Sequence, residues 1–243
     1  EAGFDKFPTE DYLTLHFTTM IQYEEGLKVH VAFPPEGDIK DTLSEVIARN
    51  NLKQAKITES EKASHVGFFF NGKNTEILPG EERIIIPTRR DVILFDEAPE
   101  MSIYAVTEKA KEIIHDPFYH FILINFPNID VVGHIENESA IISAVESVDT
   151  CTGSIVDAAL REGMISIVTS DHGTVEKWLY PDGTVDTGHT DSRVPFILIH
   201  NDDDLSLREE GELADIAPTV LELMNIPSSP YMTGRSLIKD ASR

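Results

Sequence analysis

Short β-branched or aromatic runs alternate with segments whose apolar residues recur at helical spacing along most of this chain. A period of two marks a half-buried strand and a period near 3.6 an amphipathic helix. In residues 13–23, Leu15, Phe17, Thr19 and Ile21 alternate with Thr14, His16, Thr18, Met20 and Gln22, which predicts an extended segment. Residues 28–33 read as a strand stopped by Pro34-Pro35. Asp41 is placed to cap a helix with Leu43, Val46, Ile47 and Leu52 on one stripe. A short strand at 55–58 leads into a polar connection or single helical turn at 59–64. An apolar aromatic block, 65–70, ends in the turn chemistry of Asn71-Gly72. Ile84-Ile85-Ile86 predicts a buried strand within 81–87, and 87–99 is loop. Ser102 is placed to cap a helix running to His115, with Ile103, Val106, Ala110, Ile113 and Ile114 inward. The continuous apolar run 121–125 suits the middle of a parallel sheet. After a polar loop, 125–137, comes a long helix with Ile141, Val145, Val148, Ile155 and Ala159 on one stripe, ended by Arg161-Glu162-Gly163. Strands at 165–170 and 194–199, an acidic loop at 201–212 and an Asp215-capped helix at 216–225 complete the pattern, with Pro218 tolerated in that helix's first turn.

Strands separated by helices of this length predict an α/β fold, a doubly wound, mostly parallel sheet flanked by helices. Such sheets carry their chemistry in the loops at the carboxyl ends of strands. Two loops qualify. The first, 125–134, holds Asp130 and His134, four residues apart. On a helical turn they share a face; in a loop, Gly133 lets the backbone aim both inward. The second begins Ser170-Asp171-His172-Gly173 and reaches His189 after an insertion with a Pro181-Asp182-Gly183 turn. Carboxylate oxygen and imidazole nitrogen suit zinc, manganese or iron. Alone, Asp-His-Gly is a short signal and an Asp-x-x-x-His pair a common surface coincidence. Two Asp and three His gathered after two strands amount to most of a two-metal site. Metals about 3.5–4 Å apart stabilise attacking and leaving oxygens in displacement at phosphorus.

The 243 residues suffice for one large domain or two small ones. No apolar run approaches the roughly 20 residues that span a bilayer. Glu1-Ala2-Gly3-Phe4-Asp5 lacks a basic start, an apolar core and an initiator Met, so it reads as a cut or processed end rather than a signal peptide. A single cysteine, Cys151, excludes an internal disulfide and fits a reducing, cytoplasmic setting. The net charge of −23 argues against nucleic acid and anionic membrane as partners. It would also repel an anionic phosphate substrate, unless divalent cations supply local positive charge.

Pro127-Asn128-Ile129-Asp130-Val131-Val132-Gly133-His134, then Ser170-Asp171-His172-Gly173, then Gly188-His189-Thr190 followed by Val194-Pro195-Phe196, resembles the alkaline phosphatase superfamily. Within it, Ala32-Phe33-Pro34-Pro35, the block from Glu59-Ser60-Glu61-Lys62 to Phe68-Phe69-Phe70-Asn71-Gly72, Pro79-Gly80-Glu81-Glu82-Arg83, Pro99-Glu100-Met101-Ser102 and Ala214-Asp215-Ile216-Ala217-Pro218 resemble the cofactor-independent phosphoglycerate mutases over nearly the whole chain. The resemblance implies two divalent metals, manganese first, with zinc or cobalt compatible. Asp130, His134 and His189 would hold one and Asp171 and His172 the other, with Lys62 contacting the transferring phosphoryl group. It implies a glycolytic and gluconeogenic isomerase interconverting 3-phosphoglycerate and 2-phosphoglycerate through a phosphoserine. It implies further that residues 1–30 are the end of an inserted transferase domain and its hinge, and 31–243 a phosphatase-like domain incomplete at its N-terminal side. The family's nucleophilic serine has no counterpart here. The chain alone is therefore expected to be inactive and, with an open sheet, prone to self-association, while the parent is monomeric. Two positions depart from the family: Ile135-Glu136 stands for Thr-Gly after the Gly-His pair, and Thr174 for Asn after Asp-His-Gly. Alternatives are a degenerate metal-binding module, or a related phosphatase or phosphopentomutase.

Overall fold

The computed structural model describes residues 16–22, 26–34, 39–201 and 205–239. The chain divides into two compact units, Glu1–Asp38 and Ile39–Arg243. In the first, β1 (Thr18–Ile21) and β2 (His30–Phe33) pair in parallel, Thr18 opposite His30 and Ile21 opposite Phe33. The alternation expected over 13–23 thus yields a four-residue strand, with residues 13–15 and 23 outside those described.

The second unit is built around β3 (Lys53–Glu59), which pairs in parallel with β4 (Glu81–Ile86) on one side and β5 (Tyr119–Asn125) on the other. Its two faces meet different helices. Ala55 and Ile57 pack with Val106, Ala110, Ile113 and Ile114 of α2 (Ile103–Ile114) and with Ile155, Ala158 and Ala159 of α4 (Glu138–Arg161). On the opposite face Gln54 donates to the Ser44 carbonyl of α1 (Leu43–Arg49) at 2.9 Å. There α1 forms a second core with Val220 and Leu221 of α5 (Ile216–Leu223). Helices on both faces of parallel strands make the expected α/β arrangement. A short helix, α3 (Asn128–Gly133), follows β5. The last two strands, β6 (Ser166–Thr169) and β7 (Phe196–Ile199), are antiparallel, Ser166 opposite Ile199 and Thr169 opposite Phe196. Among the described residues no helix is long and apolar enough to cross a membrane.

Several local expectations are corrected. The 121–125 run is not mid-sheet: among the described strands β5 pairs only with β3, and its residues are half-buried. The isoleucine triplet lies on an edge strand, with Ile85 38% exposed, because β4 too has one partner. Thr42, not Asp41, caps α1: its hydroxyl accepts from Glu45 N at 3.3 Å while Glu45 accepts from Thr42 N at 2.8 Å. Asp41 has φ +57° and instead holds Arg49 at 2.7 Å and the Ser229 hydroxyl. Ser102 and Asp215 occupy N-cap positions without capping. The Ser102 hydroxyl donates to the Pro87 carbonyl at 2.9 Å, and Asp215 accepts from Arg208 and the amides of Glu212 and Arg235.

One polar cluster is fully enclosed. Lys56 and Glu81 have side chains without solvent exposure, 3.0 Å apart. Lys56 also donates to Asn71, which donates back to Glu81 at 3.0 Å. Arg83 Nε lies 2.6 Å from Glu81, and Leu78 N donates to it at 3.0 Å. Burial alone would raise the Glu81 pKa, but Arg83, the Leu78 amide and Lys56 hold it at about 2. A carboxylate depressed in this way stabilises the fold above its unfolded pKa near 4.5, and that contribution is lost as pH falls from there toward 2. The unfolding midpoint should therefore drop steeply across that window, with a weaker dependence in Glu81→Gln; parallel profiles would refute the assignment. Lys56→Met, which strips the buried carboxylate of one partner, should cost about 3 kcal/mol in denaturant unfolding.

Candidate metal centre

The continuous apolar run of β5 delivers the chain to α3, whose six residues fall where a polar loop was expected. Because the segment is helical, Asp130 in its first turn and His134 at its C-cap share a face, with His134 Nε2 3.2 Å from Asp130 Oδ1. Where β6 ends, Asp171 and His172 follow at once. The chain then runs through a 3₁₀ turn (Val175–Lys177) and an excursion closed by a bridge between Leu179 and Val185. It returns alongside Gly173, where Thr190 N donates to the Gly173 carbonyl at 2.9 Å. That return brings His189 Nε2 to 3.0 Å from Asp130 Oδ1.

Asp130 is the point of convergence. Besides His134 and His189, His172 Nε2 lies 3.8 Å from the same oxygen, and Lys62 forms an ion pair with the other, Oδ2. Lys62 ends the 3₁₀ turn after β3, Ser60–Lys62, and is only 13% exposed. Burial raises the Asp130 pKa, but the Lys62 ammonium, then His134 and His172, outweigh it and leave it below the ordinary carboxylate value.

The imidazoles are presented as ligands are. His134 Nδ1 faces the Thr187 carbonyl, which can only accept, so Nδ1 carries a hydrogen and Nε2 is the nitrogen turned to the site. His172 Nδ1 lies 3.2 Å from the Gly173 carbonyl. Imidazoles whose second nitrogen is tied to a carbonyl are oriented for metal ligation. Each Nε2 that meets the Asp130 carboxylate either donates to it as an imidazolium or, deprotonated, shares a cation with it. The donor set therefore fits a divalent metal. Asp130, His172 and His189 each offer an atom within 4.8 Å of the others.

The grouping differs in detail from the expected partition. His172 leans into the Asp130 group, its ring stacked on that of His189 with centroids 3.7 Å apart. Asp171 stays at the margin, 69% exposed and 3.6 Å from His172 Nε2. One group around Asp130 is thus assembled, and the Asp171–His172 pair opens beside it. Sequence reasoning passed over His65, which opens the turn after Lys62; burial, then Lys62, push its imidazole pKa down, while Asp171 and Asp130 oppose them. Its only sequence signal was closeness to Lys62. The Thr187 carbonyl carried none, since any residue supplies one.

Parallel strands between helices, with carboxylate and imidazole donors gathered at the strand ends, define an α/β fold that carries a candidate metal centre. Residues 13–228 match the Metalloenzyme superfamily, and the chain belongs to that family. It is 42% identical to the 2,3-bisphosphoglycerate-independent phosphoglycerate mutase of Thermosynechococcus vestitus and 44% identical to that of Clostridium botulinum. Those alignments take in 99% and 97% of this chain but 46% of each relative, so the chain spans about half the length of the curated relatives it matches. A crystal structure of Leishmania mexicana phosphoglycerate mutase at low cobalt concentration superposes with a TM-score of 0.81 at 27% identity, over 95% of this chain and 46% of that one.

Removing Asp130 should cost most, because all three imidazoles face it. Asp130→Asn is expected to weaken Mn²⁺ or Co²⁺ binding at least about 100-fold, and Asp171→Asn only about tenfold, in calorimetric titration. Equal losses would contradict the central place given to Asp130.

Proposed function

We propose that this chain is the metal-binding part of a phosphoglycerate mutase that interconverts 3-phosphoglycerate and 2-phosphoglycerate in glycolysis and gluconeogenesis, in the cytoplasm. The observation that carries the reading is the gathering of Lys62, His134, His172 and His189 about Asp130. Its similarity to the mutases over nearly its full length supports the choice of reaction. On this reading Asp130, His134 and His189 hold one divalent ion and Asp171 and His172 the other, with manganese the first candidate. Oxygen and nitrogen donors admit zinc and cobalt as well. When bound, such ions supply concentrated positive charge against a phosphoryl group.

The protein's own groups then have distinct tasks. Lys62, fixed at the end of β3 and largely screened from water, presents an ammonium to the phosphoryl oxygens, where a preorganised charge is worth more than in solvent. Asp130 holds that ammonium and three imidazoles in register. The Thr187 carbonyl keeps the proton of His134 on Nδ1, so Nε2 stays available to the site. These groups also answer the repulsion between a chain of net charge −23 and an anionic substrate. The nucleophilic serine that takes up the phosphoryl group in this family matches no motif of these 243 residues. The reading therefore assigns it to the part of such mutases to which this chain does not correspond.

Incubated with Mn²⁺ and 3-phosphoglycerate, the 243-residue chain should form no 2-phosphoglycerate above background in an enolase-coupled assay; turnover would overturn the assignment of the nucleophile. In a polypeptide restoring the length of its relatives, Lys62→Met should lower kcat/KM by about 100-fold or more without loss of metal binding. An unaffected rate would remove Lys62 from the site.

A further inference from the structure

Glu176 lies in the 3₁₀ turn after Asp171-His172-Gly173, and nothing in the chemistry above uses it. Its carboxylate is nonetheless fully engaged. One oxygen, Oε1, accepts from the Thr190 hydroxyl; the other, Oε2, accepts from Thr174 N at 2.8 Å. Thr190, with the nearby Ser192 and the Thr174 amide, outweighs desolvation and holds the carboxyl at about pKa 2. Each group it holds adjoins a proposed ligand. Thr190 follows His189. Thr174 is two residues beyond His172 and touches its ring nitrogen, Thr174 Oγ1 to Nδ1, at 3.4 Å. Thr174 and Val175 also close against Gly133, the residue before His134, where a Cβ would come within 2.9 Å of the Thr174 methyl and 3.0 Å of Val175. Gly173 leaves the space into which the carboxylate and the Thr190 hydroxyl both press; a side chain there would overlap both.

We propose that Glu176 is a positioning residue that sets the distances among His134, His172 and His189, and so the affinity of the centre, without touching the metal. Two hydrogen bonds to one carboxylate lock the outgoing limb of the loop (Thr174) to the returning limb (Thr190), beside the bridge from Thr190 N to the Gly173 carbonyl. Without that lock His189 is held relative to His172 only by the bridge, by ring stacking and by its contact with Asp130. One member of the lock, Thr174, is also a departure from the family. Where the family carries Asn, Thr174 supplies a methyl that packs on Gly133, while the amide that binds Glu176 is backbone and would serve with either residue.

The inference rests on the metal reading above, and Mn²⁺ titration of the whole chain, followed by the resonance of free Mn²⁺, separates the two. Glu176→Ala should weaken Mn²⁺ binding by about 10–100-fold. Glu176→Gln, whose amide can both accept from Thr174 N and donate to Thr190, should stay within about threefold of the parent chain. Thr190→Val, which removes the hydroxyl that donates to Glu176 and accepts from Ser192 N while keeping the shape, should lose about tenfold. Unfolding midpoints without metal should fall only slightly in any of them, since the Glu176 side chain itself is solvent-exposed. Binding by Glu176→Ala or Thr190→Val as tight as the parent's overturns the proposal, as does Glu176→Gln binding as weakly as Glu176→Ala. Should Glu176→Ala not fold, Thr190→Val and Glu176→Gln decide between these outcomes. If the parent chain binds no Mn²⁺ and Asp130→Asn changes nothing, the metal reading itself fails and takes this inference with it.

Discussion

A half-buried carboxylate must find positive charge or donors, and Asp130 finds them from three separate stretches of chain. Lys62 arrives from the end of β3, His134 from the same short helix, and His172 and His189 from the two limbs of the loop after β6. Each stretch is held by something else: β3 by burial on both faces, α3 by packing of Val132 with Ala140, Ile141 and Ala144 of α4, and the loop by its own hydrogen bonds. Movement of any one of them changes the charge balance at Asp130. The site is therefore an outcome of the whole second unit rather than of one motif.

That dependence explains what could be read from the sequence. The alternation of strands and helices was legible, and so was the position of the candidate residues after strand ends, because open α/β sheets place polar residues where apolar runs stop. The helix α3 was not: Asn128–Gly133 is too short for periodicity to declare itself, and both Asp130 and Gly133 favour turns. Burial was misjudged at β4 and β5 for one reason. A run such as Ile84-Ile85-Ile86 reports that a strand can be covered on both faces, not that a neighbour lies beside it. Glu176 was invisible for the opposite reason, since a single acidic residue in an acidic chain carries no signal until its partners are known.

The caps follow the same logic. Asp41, Ser102 and Asp215 all stand where a helix begins, yet each gives its side chain to a partner distant in sequence, respectively Ser229, Pro87 and Arg235. Thr42 and Asn137 cap instead, Asn137 accepting from Ala140 N at 3.2 Å. Local propensity names the residues able to cap; long-range contacts choose among them.

Two lysine–carboxylate pairs connect the core to the chemistry, and their difference in burial decides what each can do. Lys56 and Glu81 are wholly enclosed, so separating them would strand charges in a medium that cannot solvate them. Their shared partner Asn71 lies just beyond the His65–Phe69 turn, and that turn follows Lys62 closely along the chain. The enclosed pair thus anchors one end of a segment whose other end is fixed by β3. Lys62 and Asp130, by contrast, are 13% and 17% exposed, enough for water or an ion to reach them. A pair in that setting is exchangeable: another cation can share the Asp130 carboxylate while the ammonium turns to a second anion, at far less cost than inside the core. On the proposed reading that second anion is the phosphoryl group. The chain would then use one ion pair that does not open to aim another that does.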